Sequence, residues 1–209
     1  MTVEEYCRAN SSLPSSGTLE WIERTTHLRT NHARMLSGRT EGGLLSLISR
    51  IVRPQRALEL GVFTGYSTVC LAEGLAPGGV IDSIEINDEL EDIIREAFSR
   101  EGIEGKVNLI FGDALEIVPT LPHTYDLVYI DANKRQYPDY WRLVVDKVRS
   151  GGVIIADNTT WDGKVAAEQR PHDVQSEAIC TFNEMVAGDR CVRCVMLPVR
   201  DGITLAVKL

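Results

Sequence analysis

From residue 56 onward, short apolar runs alternate with longer stretches of helical period. The runs Ala57–Leu60, Val80–Ile84, Val107–Phe111, Tyr125–Ile130 and Gly152–Ala156 are bounded by Gly, Pro or polar residues and read as buried parallel strands. Between them, Leu90, Ile93, Ile94, Ala97 and Phe98 recur at helical spacing in a helix predicted over Asp88–Glu101. Further helices are predicted at Ser67–Glu73, around Leu115–Val118, at Pro138–Val148 and at Asp173–Ala187. The last two strands, Arg193–Leu197 and Gly202–Lys208, are joined too tightly for a crossover and must be antiparallel neighbours. Ahead of this core, helices are predicted at Thr18–Thr30 and Thr40–Val52, the second with Leu44, Leu45, Leu47, Ile48 and Ile51 as its apolar set. Residues 31–38 read as a loop, and the first 17 residues as a polar segment without an element. The alternation predicts an α/β fold: a Rossmann-like, doubly wound, mostly parallel seven-stranded sheet with an antiparallel edge strand. Residues 1–209 then form one domain, with 1–52 as a helical cap over the site and 56–209 as the core.

Composition narrows the partners. The chain has 209 residues, 44% of them hydrophobic and 25% charged, which suits one soluble domain with a large core. A net charge of −8 argues against nucleic acid, whose phosphates need clustered Lys and Arg. No run is long enough to span a membrane, and the acidic N-terminus lacks an apolar signal core, so the cytoplasm is the expected compartment. The five Cys are scattered; Cys191 and Cys194 form a C-x-x-C without a second pair, and reduced thiols are expected.

The chemistry gathers at the strand ends. Arg56-Ala-Leu-Glu-Leu-Gly-Val-Phe-Thr-Gly-Tyr-Ser67 is a strand, a glycine turn and a helix start. It has Phe63 where a dinucleotide fingerprint has its middle glycine, and it lacks the Lys of a P-loop, so it suits a nucleotide-like ligand without phosphates. Glu59, Glu85 and Asp113 stand near three successive strand ends, where carboxylates can surround a positively charged adenosine, Glu85 accepting from both ribose hydroxyls. Any one of them alone reads better as a helix-capping or surface carboxylate; three at successive strand ends favour the ligand reading. A second group is Asp131, followed by Asn133 and Lys134, with Asp157 and Asn158, followed by Trp161. Asp131, Asp157 and Asn158 offer only oxygen, as a hard cation such as Mg²⁺, Mn²⁺ or Ca²⁺ requires. The competing reading makes Asp131 a helix cap and Asp157-Asn158 a turn. Lys134 favours the cation, because an amine beside it can serve as a base.

With these motifs in place, the sequence resembles the class I S-adenosylmethionine (SAM)-dependent methyltransferases. More narrowly, it resembles the cation-dependent O-methyltransferases, the catechol and caffeoyl-CoA group. The resemblance covers residues 31–209 and includes Leu197-Pro-Val-Arg-Asp-Gly-Ile-Thr204. It implies that Glu59, Gly61, Tyr66 and Ser67 line the methionine end of SAM, and that Glu85 holds the ribose. Asp113 and Ala114 face the adenine, Met35 and Ser37 close over the cofactor with Glu41 beside them, and Asp131 touches SAM as well as the metal. It implies a cation on Asp131, Asp157 and Asn158, Lys134 as the base, and a small aromatic substrate with two adjacent hydroxyls. Trp161, Arg170 and His32 are candidate substrate contacts, with His172 beside Arg170. Asn133 stands where the family often has an acid. The N-terminus shows no basic residues for coenzyme A, so a free small molecule is expected. A homodimer through the N-terminal helices is also implied. The alternatives are a metal-independent SAM methyltransferase and a non-catalytic SAM-binding protein.

Overall fold

Seven strands form one sheet in the order β3-β2-β1-β4-β5-β7-β6 in a computed structural model that describes residues 1–12, 16–167 and 173–209. They are β1 (Arg56–Leu60), β2 (Val80–Glu85), β3 (Val107–Phe111), β4 (Tyr125–Ile130), β5 (Val148–Ala156), β6 (Val192–Leu197) and β7 (Ile203–Lys208). Strands β1 to β5 are mutually parallel. Strand β7 runs antiparallel to both β5 and the edge strand β6, so the antiparallel pairing lies at that edge as expected. The chain winds outward from β1 through β2 to β3, then returns to place β4 on the other side of β1. That reversal opens a crevice above the C-terminal ends of β1 and β4, the place where such sheets bind ligands.

Successive residues of each strand face opposite layers, which accounts for runs that are apolar throughout. Ala57, Ile81, Leu127, Tyr129 and Ile155 pack under α2 (Gly17–Arg29), α3 (Arg39–Val52), α4 (Tyr66–Ala72) and α5 (Glu91–Glu101). Leu58, Leu60, Val128, Ile130 and Ile154 pack on the other side under α6 (Ala114–Ile117), α7 (Tyr137–Val144) and α8 (Val174–Gly188). Among the described residues no helix is long and apolar enough to cross a membrane.

Two N-terminal features differ from the sequence pattern. Residues 3–9 form a short helix, α1 (Val3–Ala9), started by a capping box in which Glu5 N–H donates to Thr2 Oγ1 and Thr2 N–H to Glu5 Oε2. On α3 the buried face is Glu41, Gly42, Leu45, Ser46 and Ser49, while Leu47 and Ile51 are 56% and 73% exposed. Close approach to α4 decides this. A Cβ on Gly42 would lie 2.8 Å from both Cys70 Sγ and Tyr66 Cε1, and one on Gly74 would lie 2.2 Å from the Ser49 carbonyl carbon. Only the small face fits, and it turns Glu41 inward toward Asp131 and Asp157.

Candidate active site

The glycine turn after β1 is fixed by sterics. Gly61 has φ +90°, and a Cβ there would sit 2.2 Å from the Asp131 carbonyl oxygen, so no side chain is tolerated. The amides of Val62 and Phe63 donate to Glu85 Oε2 at 2.9 and 2.7 Å, and Asn87 N–H donates to Oε1 at 2.9 Å. Glu85 thus anchors the turn from the neighbouring strand. These three bonds use most of a carboxylate's roughly four acceptor sites, and about one remains on Oε1 for a ligand hydroxyl. Asp113 caps α6 by accepting from Leu115 N–H at 2.8 Å and also faces the crevice; the capping and ligand readings are not exclusive.

These residues line a cavity of about 800 Å³. Of the residues predicted for cofactor, metal or substrate, Met35, Ser37, Gly61, Tyr66, Ser67, Glu85, Asp113, Ala114, Asp131, Lys134, Asp157, Asn158, Trp161 and His32 all lie on its wall. Arg170 and His172 lie outside the described residues.

Glu59 does not lie where the resemblance implies, at the methionine end of SAM. It does not reach the cavity but is fully buried beneath the turn. Its carboxylate accepts from Ser67 Oγ and Thr68 Oγ1, both at 2.6 Å, and from Ser83 Oγ at 2.7 Å. Its role is to brace the start of α4. Burial pushes its pKa up to about 7 against the pull of the three hydroxyls. The sign follows from linkage: folded protein keeps a proton that unfolded chain releases above about pH 4.5, so stability falls as pH rises toward 7. Glu59→Gln keeps an acceptor without the titration. Relative to wild type it should gain up to about 3 kcal/mol between pH 4.5 and 8, read by urea unfolding. Parallel pH profiles for the two proteins would remove the buried proton.

The second group sits at the ends of β4 and β5. Asp131, Asp157 and Glu41 bring carboxylate oxygens within 4.8 Å of one another. Asp157 is 3% exposed, and its Oδ1 is buried without a hydrogen-bond partner. Burial raises its pKa, and the charges of Asp131 and Glu41 raise it further. Burial also raises that of Asp131, with Lys134 opposing. Lys134 Nζ donates to Asp131 Oδ1 at 2.6 Å and to Tyr137 Oη at 2.8 Å, and Tyr137 O–H lies 3.0 Å from the Asp157 carbonyl oxygen. Glu41, fully buried, accepts from Tyr129 O–H at 2.7 Å and is ion-paired with Arg200.

Asn133 Oδ1, not Asp131, caps the turn Lys134–Gln136, accepting from Arg135 N–H at 3.2 Å. That resolves the capping alternative for Asp131 and gives Asn133 a local role. Asn158 takes part in the predicted turn, accepting from Trp161 N–H at 3.2 Å through its carbonyl, while lining the cavity. An orphaned buried carboxylate oxygen amid hard oxygen donors fits a divalent cation, which would relieve the uncompensated charge. Glu41, Tyr137 and Arg200 complete this centre and were not singled out for it by the pattern. The signal for Glu41 is its place beside Gly42, whose missing side chain marks the packed face of α3.

Comparisons with known proteins agree with this geometry. A family model described as O-methyltransferase matches residues 9–209. Caffeoyl-CoA O-methyltransferase of Stellaria longipes is 32% identical over 173 residues, covering 78% of this chain and 72% of that protein. The crystal structure of the O-methyltransferase TomG from Streptomyces achromogenes, in complex with SAM, superposes with a TM-score of 0.90 at 27% identity, over 100% of this chain and 99% of that one. The O-methyltransferase from Bacillus cereus, in complex with S-adenosylhomocysteine (SAH), gives 0.89 at 27% identity, over 100% and 98%. The glycine turn and the carboxylate centre both fall inside the matched region, and the chain belongs to the O-methyltransferase family.

Proposed function

We propose that the protein transfers the methyl group of SAM to one hydroxyl of a small aromatic acceptor carrying two adjacent hydroxyls, using a divalent cation held by Asp131, Asp157 and Asn158. Mg²⁺ is the first choice, ahead of Mn²⁺ and Ca²⁺. The observation that carries this reading is the unsatisfied buried Oδ1 of Asp157 against Asp131, in the same cavity as the glycine turn. Relatives solved with SAM or SAH support the donor.

On this reading Glu85 faces the ribose hydroxyls while holding the turn, Asp113 and Ala114 border the adenine, and Tyr66 and Ser67 border the methionine end. Met35 and Ser37 cover the cofactor, and Trp161 and His32 border the acceptor. When bound, the cation would lower the pKa of the reacting hydroxyl from its free value of roughly 10. Lys134, beside the centre, is the candidate base for the hydroxyl proton. Fixing donor and acceptor in one cavity removes much of the entropic barrier. A homodimer through the N-terminal helices, where Leu28, Leu47 and Ile51 stay exposed, belongs to the same proposal, and sedimentation tests it.

The deciding assay is methyl transfer from labelled SAM to catechols and matched monophenols, with Mg²⁺ and with chelator. Catechols should react, monophenols should not, and chelator should abolish turnover. Chelator-resistant turnover would point to a metal-independent methyltransferase. SAM binding without turnover on any phenol would point to a binding protein.

A further inference from the structure

The turn between β6 and β7, residues 198–202, carries the motif Pro-Val-Arg-Asp-Gly, to which the proposed reaction assigns no role. It grips two different walls of the cavity. Arg200, at φ +50°, reaches across to α3. Its Nη1 pairs with the buried Glu41, its Nη2 donates to the Leu36 carbonyl at 3.4 Å, and a Cβ on Gly38 would lie 3.7 Å from its Cζ. The next residue holds the opposite wall. Asp201 Oδ1 accepts from Asp162 N–H at 2.5 Å and from Thr160 Oγ1 at 3.1 Å, while its carbonyl accepts from Thr160 N–H at 2.9 Å. The Gly202 carbonyl accepts from Thr159 N–H at 3.0 Å, and a Cβ on Gly202 would strike Thr160 Cγ2 at 2.5 Å.

Both walls are short stretches of irregular backbone. Met35 and Leu36 lie in and just after a single 3₁₀ turn, Ala33–Met35, without a side-chain cap. Trp161 and Asp162 both hold positive φ, at +48° and +52°, a conformation that needs outside support. Arg200 supplies an ion pair to the first wall and Asp201 a charge-assisted hydrogen bond to the second.

We infer that the β6–β7 turn is a two-armed clamp on the active-site mouth, in which Arg200 positions segment 35–41 over the cofactor end and Asp201 positions Trp161 at the acceptor end. This rests on the proposed assignment of the two ends of the cavity. Both are positioning residues. The arms act on different ligands, which a general loss of stability would not do.

SAH binding measured by calorimetry reads the first arm and needs neither metal nor acceptor. Arg200→Ala should weaken SAH about tenfold, and Arg200→Lys, which keeps the charge on Glu41, should restore most of it. Should Arg200→Ala fail to fold with Glu41 unpaired, Glu41→Gln serves instead: it keeps an acceptor for Tyr129 and should weaken SAH similarly. Asp201→Ala should leave SAH affinity within about twofold and raise the acceptor KM about fivefold. Trp161 reports the second arm without any ligand. With Trp21 and Trp141 replaced by Phe, Asp201→Ala should raise acrylamide quenching of Trp161 about twofold. Wild-type SAH affinity in Arg200→Ala, equal shifts of both constants in both variants, or unchanged Trp161 quenching overturns the clamp. Wild-type protein that binds no SAH strikes the cofactor reading instead, and the quenching result still decides the Asp201 arm.

Discussion

Asp157→Ala should lower kcat/KM by about three orders of magnitude and abolish the response to divalent cation, since a cation's share of transition-state stabilisation is several kcal/mol. The charge balance of the centre argues for so large an effect. Glu41, Asp131 and Asp157 face one another, and two cationic side chains oppose them: Lys134 on Asp131 and Arg200 on Glu41. With all three carboxylates ionised, as a bound cation would require, one negative charge is left over. It falls on Asp157, whose Oδ1 has no partner and whose pKa is raised by burial and then by its acidic neighbours. A site with one negative charge in excess suits a dication together with an anionic acceptor oxygen.

The same imbalance gives a stability signature of opposite sign to the activity loss. A raised carboxylate pKa means that cation-free protein holds a proton the unfolded chain has released. Its stability should therefore fall as pH rises above the ordinary carboxylate range. Asp157→Asn removes that charge while keeping the shape, so it should melt higher than wild type in chelator at pH 8. Adding Mg²⁺ or Ca²⁺ should raise the melting temperature of wild type and not of the variant. A variant that keeps both the melting shift and the cation-stimulated turnover would take Asp157 out of the cation site.

Where the sequence was readable, it was because burial on both faces leaves a plain mark. Bounded apolar runs between polar turns predict strands β3 and β4 with their observed bounds. Glu59 and Glu85 look alike in sequence, each a carboxylate near a strand end. Register separates them: Glu59 pairs with Ser83, two residues deeper than Glu85, where α4 covers it and three hydroxyls satisfy it. The inward face of α3 was hidden for a related reason. Leu47 and Ile51 carry the stronger apolar signal, but Gly42 and Gly74 allow an approach that excludes them. Glu41 enters the site through partners 88 and 159 residues away, Tyr129 and Arg200, a distance over which local pattern carries no information. In α1, Thr2 and Glu5 did spell a capping box, but seven residues bury too little to stand out from a polar segment.

Lys134→Ala should retain SAM binding and lose turnover by about 10²–10⁴-fold, the range for a positioned general base. The side chain is buried between Asp131 and Tyr137, so Ala removes two things at once: a proton acceptor and the counter-charge of Asp131. Loss of activity in that variant alone does not tell them apart. Lys134→Arg does. Guanidinium keeps the positive charge and the donors facing Asp131, but it stays protonated in proteins and cannot accept the hydroxyl proton. A base role requires Lys134→Arg to be nearly as inactive as Lys134→Ala while holding cation more nearly as wild type does. Recovery of turnover in Lys134→Arg would make Lys134 an ion-pair partner that shapes the centre. The proton of the reacting hydroxyl would then leave by another route, with Asp131 the nearest remaining acceptor.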